Sequence, residues 1–147
     1  MIVVYGPAYE DQKQYFLDEL ESIMNIWQGP ILIGGDFNLV RFSRNKSNGI
    51  INHRWADSFN CWVDKWTLIE LNASNKKFMW TNNQDRPILA KIDRIFATTA
   101  WEAAFSLDTV KALERLPSDH SPLVLNVGDN VSFGKKRFRF EKWWLEK

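Results

Sequence analysis

ILIGGDFN, residues 31–38, is the stretch on which the fold turns. Ile31 to Gly34 form a short apolar run without alternation, bounded upstream by the breaker Gly29-Pro30, and this reads as a buried strand. The strand delivers Gly35-Asp36-Phe37-Asn38 to its end, the place in a sheet where polar side chains from neighbouring strands gather.

Upstream, Ile2 to Tyr5 reads as a strand stopped by Gly6-Pro7, since proline lacks the donor a ladder needs. Between the two strands the spacing predicts a helix from Asp11 to Trp27. Phe16, Leu17, Leu20, Ile23, Met24 and Trp27 share one face, and acidic residues crowd the early turns, where the helix dipole favours them. Downstream, residues 41–52 (RFSRNKSNGIIN) are polar and aperiodic and read as a surface loop. A second helix starts near Asn52 or His53, with Trp55, Phe59, Trp62, Val63 and Trp66 at steps of three and four, so these aromatics are assigned to core packing rather than base stacking. Short strands are expected over Thr67–Leu71, Phe78–Thr81 and Ile88–Ala97, with NNQDRP (82–87) as a hairpin turn between the last two. A brief helix near Thr99–Phe105, a strand near Leu107–Leu116, a turn over Pro117–His120 and a strand over Pro122–Val127 follow. Alternating strands and helices, then clustered strands, indicate an α/β protein with a mixed sheet covered by helices.

Composition narrows the class. At 147 residues with 45% apolar content, the chain has enough material for one packed domain. It has no apolar run of roughly eighteen residues and no secretory signal pattern, so no membrane span and an intracellular protein are expected. The lone Cys61 has no disulfide or CxxC partner, and its neighbours Phe59, Trp62 and Val63 suggest a buried structural thiol. Net charge is +1, but the last fourteen residues, GKKRFRFEKWWLEK, carry +4, which leaves −3 on the rest. An acidic body suits a carboxylate site for a cation, and is also the ordinary surface of a globular domain.

Four polar groupings each sit just after an apolar run: Tyr5 in VVYGP, Asp36 and Asn38 in ILIGGDFN, Asp93 in AKIDRIF, and Ser118-Asp119-His120 in PSDHSPL. Singly, each has a plain structural reading. Asp36 after two glycines suits a turn, Asp93 between Lys91 and Arg94 suits a surface ion pair, and Asp119 suits loop shaping. Jointly, the order Tyr, Asp-x-Asn, Asp, Ser-Asp-His, each at a strand end, favours a shared site.

GDFN, KIDRIF and SDHSPL resemble the C-terminal signatures of the endonuclease/exonuclease/phosphatase superfamily, over nearly the whole chain. VYGP, FMWTN and RFRFEKWW are most similar to the endonuclease domain of plant non-LTR (LINE-type) retrotransposons. The resemblance implies a partial four-layer α/β/β/α sandwich of the DNase I-like kind, with an N-terminal half lying outside this sequence. It implies hydrolysis of nucleic-acid phosphodiesters, with His120 as base or phosphate-contacting cation oriented by Asp93, and Asp36 aligning or deprotonating the water beside Asn38. Asp119 would help bind magnesium or manganese, while Tyr5, Thr81 and Ser118 would contact phosphate or substrate. These types suit the chemistry, which needs an aimed water, a cation and donors that hold the phosphate.

The sequence also departs from the family pattern. An Asn and a metal-binding Glu that relatives carry upstream of the VYGP-like strand are not in this chain, and Ala8 stands where many relatives have Asn. The expectation is therefore weak metal binding and little or no activity alone. DNA is the partner expected of the parent enzyme, with nuclear localisation if it functions as a retroelement endonuclease, and with self-association or pairing with the N-terminal half also expected. Residues 1–130 are assigned to the domain and 131–147 to a basic aromatic tail, read either as a linker or as a nucleic-acid grip by Lys135, Lys136, Arg137 and Arg139. Inositol-phosphate or lipid phosphodiesters remain an alternative substrate class, and a non-catalytic nucleic-acid-binding remnant a second alternative. His53 matches no motif and is assigned to a solvated helix start.

Overall fold

Leu32–Asp36 (β2) lies inside a four-stranded sheet of the computed structural model, which describes residues 1–27, 29–105, 108–115 and 117–128. On one side Ile2–Tyr5 (β1) runs parallel to it, and on the other Asp93–Ala97 (β6) runs antiparallel. Ile69–Glu70 (β3) extends the sheet beyond β6, giving the order β1-β2-β6-β3. The strand reaches two residues past the apolar run, because Gly35 and Asp36 stay paired with Val4 and Tyr5 on one side and with Arg94 and Asp93 on the other.

Both faces of β2 are used. Ile33 and Phe96 point to a core built with Lys13–Ile26 (α1) and His53–Lys65 (α2), where Phe16, Leu17, Leu20 and Met24 meet Trp55, Phe59, Trp62 and Val63. Phe37 is fully buried at its centre, with ring centroids 5.2 Å from Phe59 and 5.4 Å from Phe96. Leu32, Ile95 and Ala97 face the other way, toward Val110, Trp101, Leu123 and Leu125. That second layer is Thr109–Ala112 (β7) paired antiparallel with Leu123–Asn126 (β8), beside Thr99–Ala104 (α3), whose first turn is capped by Thr98. A strand packed on both sides has no solvent face to alternate with, which is why ILIGG is continuously apolar.

Two glycines are dictated by close approach. A Cβ on Gly35, which has φ +146°, would lie 2.1 Å from the Val4 carbonyl oxygen, and one on Gly6 would lie 2.2 Å from that of Phe37.

Several expectations are corrected. Glu10–Gln12 forms a 3-10 turn, so α1 starts at Lys13 and the acidic residues Glu10 and Asp11 precede it. The expected strand Ile88–Ala97 is two strands in different sheets: Leu89–Ala90 (β5) pairs with Trp80–Thr81 (β4), and β6 belongs to the main sheet. Thr67–Leu71 and Phe78–Thr81 likewise shrink to β3 and β4, and β7 lies within the expected strand Leu107–Leu116, whose two end residues lie outside the described residues. Cys61 is exposed. At about 100° per residue it faces away from the Phe59-Trp62-Val63 stripe, so adjacency to aromatics in sequence did not mean adjacency in space. His53 is exposed at the start of α2. No helix among the described residues is long and apolar enough to cross a membrane. The basic tail 131–147 and the domain boundary at residue 130 lie outside the described residues.

Candidate active site

Register alone puts three of the singled-out residues in one row, since Tyr5 lies opposite Asp36 and Asp36 lies opposite Asp93 at the same end of the sheet. Just past β2 the chain turns at Asn38, whose φ of 49° is left-handed, a conformation asparagine tolerates better than most residues. The turn brings its side chain back. Asn38 donates its backbone N–H to Asp36 Oδ1 at 2.8 Å and its amide to Asp36 Oδ2 at 3.0 Å and to the Gly6 carbonyl at 2.8 Å. Asp36 is thus tied through Asn38 to Gly6, the residue after β1.

His120 arrives on the turn before β8 and is pinned from both sides. Its N–H donates to Ser118 Oγ at 3.1 Å, Thr81 N–H donates to the Asp119 carbonyl at 3.0 Å, and Ser121 N–H donates to the Met79 carbonyl at 2.7 Å. The imidazole then reaches Asp93, with Nδ1 at 3.0 Å from both carboxylate oxygens. A carboxylate there favours the proton on Nδ1, which frees Nε2. Nε2 lies 3.9 Å from Asp36 Oδ2 and 3.9 Å from Asp119 Oδ2, beyond hydrogen-bond length, so it faces open space between two carboxylates. That space belongs to a cavity of about 430 Å³ lined by Tyr5, Asp36, Asn38, Asp119 and His120, with Trp80 in its wall.

Three carboxylates thus surround one imidazole. Burial pushes the Asp36 carboxyl above its ordinary range, against the opposing pull of the Asn38 N–H and His120, while Asp119 adds to the rise. Burial likewise pushes Asp93 up, although its hydrogen bond to His120 works the other way. A more basic Asp36 is suited to holding a proton from a nucleophile, and Nε2, once it too carries a proton, to donating to an anion.

Tyr5 sits at the rim of the cavity with 82% of its surface exposed. Ser118 holds the His120 turn and lines a neighbouring open cleft. Thr81 differs from expectation. It is 1% exposed and its Oγ1 accepts from Asn83 N–H at 3.3 Å, so its hydroxyl shapes the local turn and does not face the cavity around His120. The alternative reading of Asp93 as a surface ion-pair partner also fails, because Lys91 and Arg94 both turn to Glu70, at 2.5 Å and 2.6 Å.

Sequence reasoning passed over three contributors. Trp80 donates its indole N–H to Asp119 Oδ2 at 3.1 Å and so fixes that carboxylate. Lys13 and Lys46 line the cavity as its nearest cations, with Lys13 Nζ 3.2 Å from the Asn38 carbonyl. Trp80 stands beside Thr81 within FMWTN, whereas Lys13 and Lys46 carry no local signal.

The fold has counterparts among known proteins. Among solved structures, the chain is similar to the endonuclease domain of TRAS1, a telomere-specific non-LTR retrotransposon, at 18% identity and a TM-score of 0.66, covering 86% of this chain and 56% of that one. It is also similar to a 3'-5' exonuclease (NExo) from Neisseria meningitidis, at 17% identity and a TM-score of 0.57, covering 80% of this chain and 52% of that one. The chain therefore spans about half the length of either solved structure, and its layers correspond to part of their DNase I-like sandwich. Curated protein sequences give no match. The sequence model of the Endonuclease/Exonuclease/phosphatase family, in contrast, matches residues 3–120, a span that begins on β1 and ends on His120, and the chain belongs to that family.

Proposed function

We propose that this chain carries part of the active site of a divalent-metal-dependent phosphodiesterase acting on nucleic acid, and that alone it is weakly active or inactive. The observation that carries the reading is the His120 ring, tied to Asp93 at 3.0 Å and facing Asp36 and Asp119 at 3.9 Å. A nucleic-acid substrate is supported by the two solved structures of similar fold, one an endonuclease domain and the other an exonuclease.

In this mechanism Asp36 orients a water and takes its proton as the oxygen bonds to phosphorus, while Asn38 holds Asp36 in place. The bond from phosphorus to the leaving oxygen breaks, and that oxygen is protonated from solvent. His120, kept in position by Asp93, acts in its doubly protonated form, donating Nε2–H to a phosphoryl oxygen and offsetting its charge. The residues fit a hard cation in part. The cavity is lined by the carboxylates of Glu10, Asp36 and Asp119 against the two ammonium groups of Lys13 and Lys46, yet no group of three or more His, Cys, Asp or Glu side chains among the described residues forms a cage. Magnesium or manganese takes one or two carboxylates and keeps its waters, so Asp119 would hold it, weakly. Bound there, the ion supplies charge neutralisation at the phosphoryl oxygens.

The test is nicking of supercoiled plasmid at high protein concentration with magnesium or manganese, run beside phosphate release from inositol phosphates. Slow nicking, lost in His120→Ala, supports the proposal. Release of phosphate without nicking moves the substrate to the inositol-phosphate class, and binding of DNA with neither activity reduces the chain to a non-catalytic binder. Robust magnesium-dependent nicking refutes the weak-activity claim.

A further inference from the structure

β5 and the residues after it serve two sides at once. Ala90 and Ile92 line the cavity that holds His120, while Lys91 between them lines a different depression. This second groove, of about 460 Å³, runs between the Arg44-Asn45 loop and the segment 72–77. Four cations line it, Arg44, Lys76, Lys77 and Lys91, and no carboxylate does among the described residues. For a body whose formal charge outside the basic tail is −3, that is a sharp local departure.

The charge is neither loose nor cancelled from below. Arg44 lies with its guanidinium 4.1 Å from the Phe42 ring centroid and Lys77 with its ammonium 5.1 Å from that of Phe78, so both walls hold their cations against aromatic faces and lose less side-chain freedom on binding an anion. Lys76 is anchored by a 2.6 Å bond to Ser121 Oγ, next in sequence to His120. Under the floor, Glu70 is the carboxylate for three cations, Arg41, Lys91 and Arg94. Arg94, 1% exposed, also donates to the Asn45 side chain and the Lys91 carbonyl, so a buried guanidinium sits directly beneath two groove residues. A low-dielectric floor with surplus positive charge strengthens the field above it. The rim between groove and cavity is formed by consecutive residues, with Arg44 and Asn45 on the groove side and Lys46 on the cavity side.

We infer that this groove is a second phosphate-binding site, one that takes the sugar–phosphate backbone of a bound nucleic acid away from the scissile bond, the strand crossing the Arg44–Lys46 rim. The inference rests on the nucleic-acid reading of the neighbouring cavity but concerns residues with no part in the chemistry.

The test is fluorescence anisotropy of a labelled DNA duplex with the full chain across a salt series. Arg44→Ala/Lys77→Ala removes two exposed cations that make neither an ion pair with Glu70 nor the bond to Ser121, and Lys65→Ala/Lys111→Ala removes the same charge from α2 and β7. The groove variant is expected to weaken binding at least about tenfold and to flatten the plot of log K against log salt by about 2, at roughly 0.9 for each phosphate no longer neutralised. Lys77→Glu alone should weaken binding in the same direction, and the control pair should bind as wild type. Wild-type affinity in the groove variants, or an equal loss in the control, overturns the groove assignment while leaving the catalytic proposal to its own nicking assay. Absence of any duplex binding by the wild-type chain overturns it too. Displacement of the duplex by millimolar inorganic phosphate at constant ionic strength would assign the groove to a small phosphate instead.

Discussion

Replacing Glu70 by Gln keeps the shape of the side chain and deletes one charge, and the structure gives that charge unusual weight. Glu70 Oε2 meets Arg41 at 2.8 Å, and Oε1 meets Lys91 at 2.5 Å and Arg94 at 2.6 Å, with all four side chains at 13% exposure or less. Burial pushes the Glu70 carboxyl up, but Arg94, Lys91 and Arg41 together outweigh it and hold it below its ordinary value. Removing one partner of a buried charge pair costs about 3–5 kcal/mol, and here three cations lose their carboxylate at once. With a urea slope near about 2 kcal/mol/M, the unfolding midpoint of Glu70→Gln should fall by about 2 M. The melting temperature should fall by about 6–20 °C, at roughly 2–4 °C per kcal/mol. Tryptophan fluorescence in a urea titration reads the first, since Trp55 and Trp62 are buried in the core. The pH dependence has a definite sign. A lowered carboxyl contributes stability above its ordinary value of 4.5 that is lost as pH falls through its folded value, so the gap between wild type and Glu70→Gln should close in strong acid. Adding Lys91→Met to Glu70→Gln should restore part of the loss by removing one unpaired cation. A midpoint shift under about 0.5 M, or a gap unchanged in acid, would refute the view that the three cations depend on Glu70.

Asp93 carries the opposite sign: its carboxyl is raised, so its charge costs stability once pH exceeds its ordinary value of 3.8, and Asp93→Asn should be neutral or more stable by up to about 1 kcal/mol at pH 7, with the difference vanishing below that value. A loss of more than about 1 kcal/mol in a neutral-pH urea titration would show that the bond to His120 outweighs the burial cost. Gly35→Ala should destabilise by more than about 3 kcal/mol, beyond backbone strain alone, because its Cβ meets the Val4 carbonyl at 2.1 Å; a near-native thermal melt would contradict this. The apolar groove of about 640 Å³ between the main sheet and β8, lined by Leu32, Ile95, Trp101, Leu123 and Leu125, should bind a hydrophobic dye such as ANS in the native state. Leu125→Glu should lower that signal, and an unchanged signal would place the dye elsewhere.

Local patterns were enough for the framework. The unbroken ILIGG run required a strand covered on both faces, and the stripe from Trp55 to Val63 required a helix packed on a core. The strand-end positions of Asp36, Asp93 and His120 marked them as candidates for one site, because such patterns record which faces of an element are buried, whichever residues bury them. Other features depended on partners far apart in sequence. The antiparallel register of β2 with β6 sets Asp93 opposite Asp36 across 57 positions of sequence, and no periodicity within either strand encodes that pairing. The same holds for the break of Ile88–Ala97 into two sheets, for Trp80 on Asp119, and for the pull of Lys91 and Arg94 toward Glu70 and away from Asp93. Cys61 faces solvent because of the direction of its helix, not the identity of its neighbours. A charged or polar side chain can satisfy itself with any complementary group it meets, so its partner is chosen only when the packed core has fixed which groups come within reach.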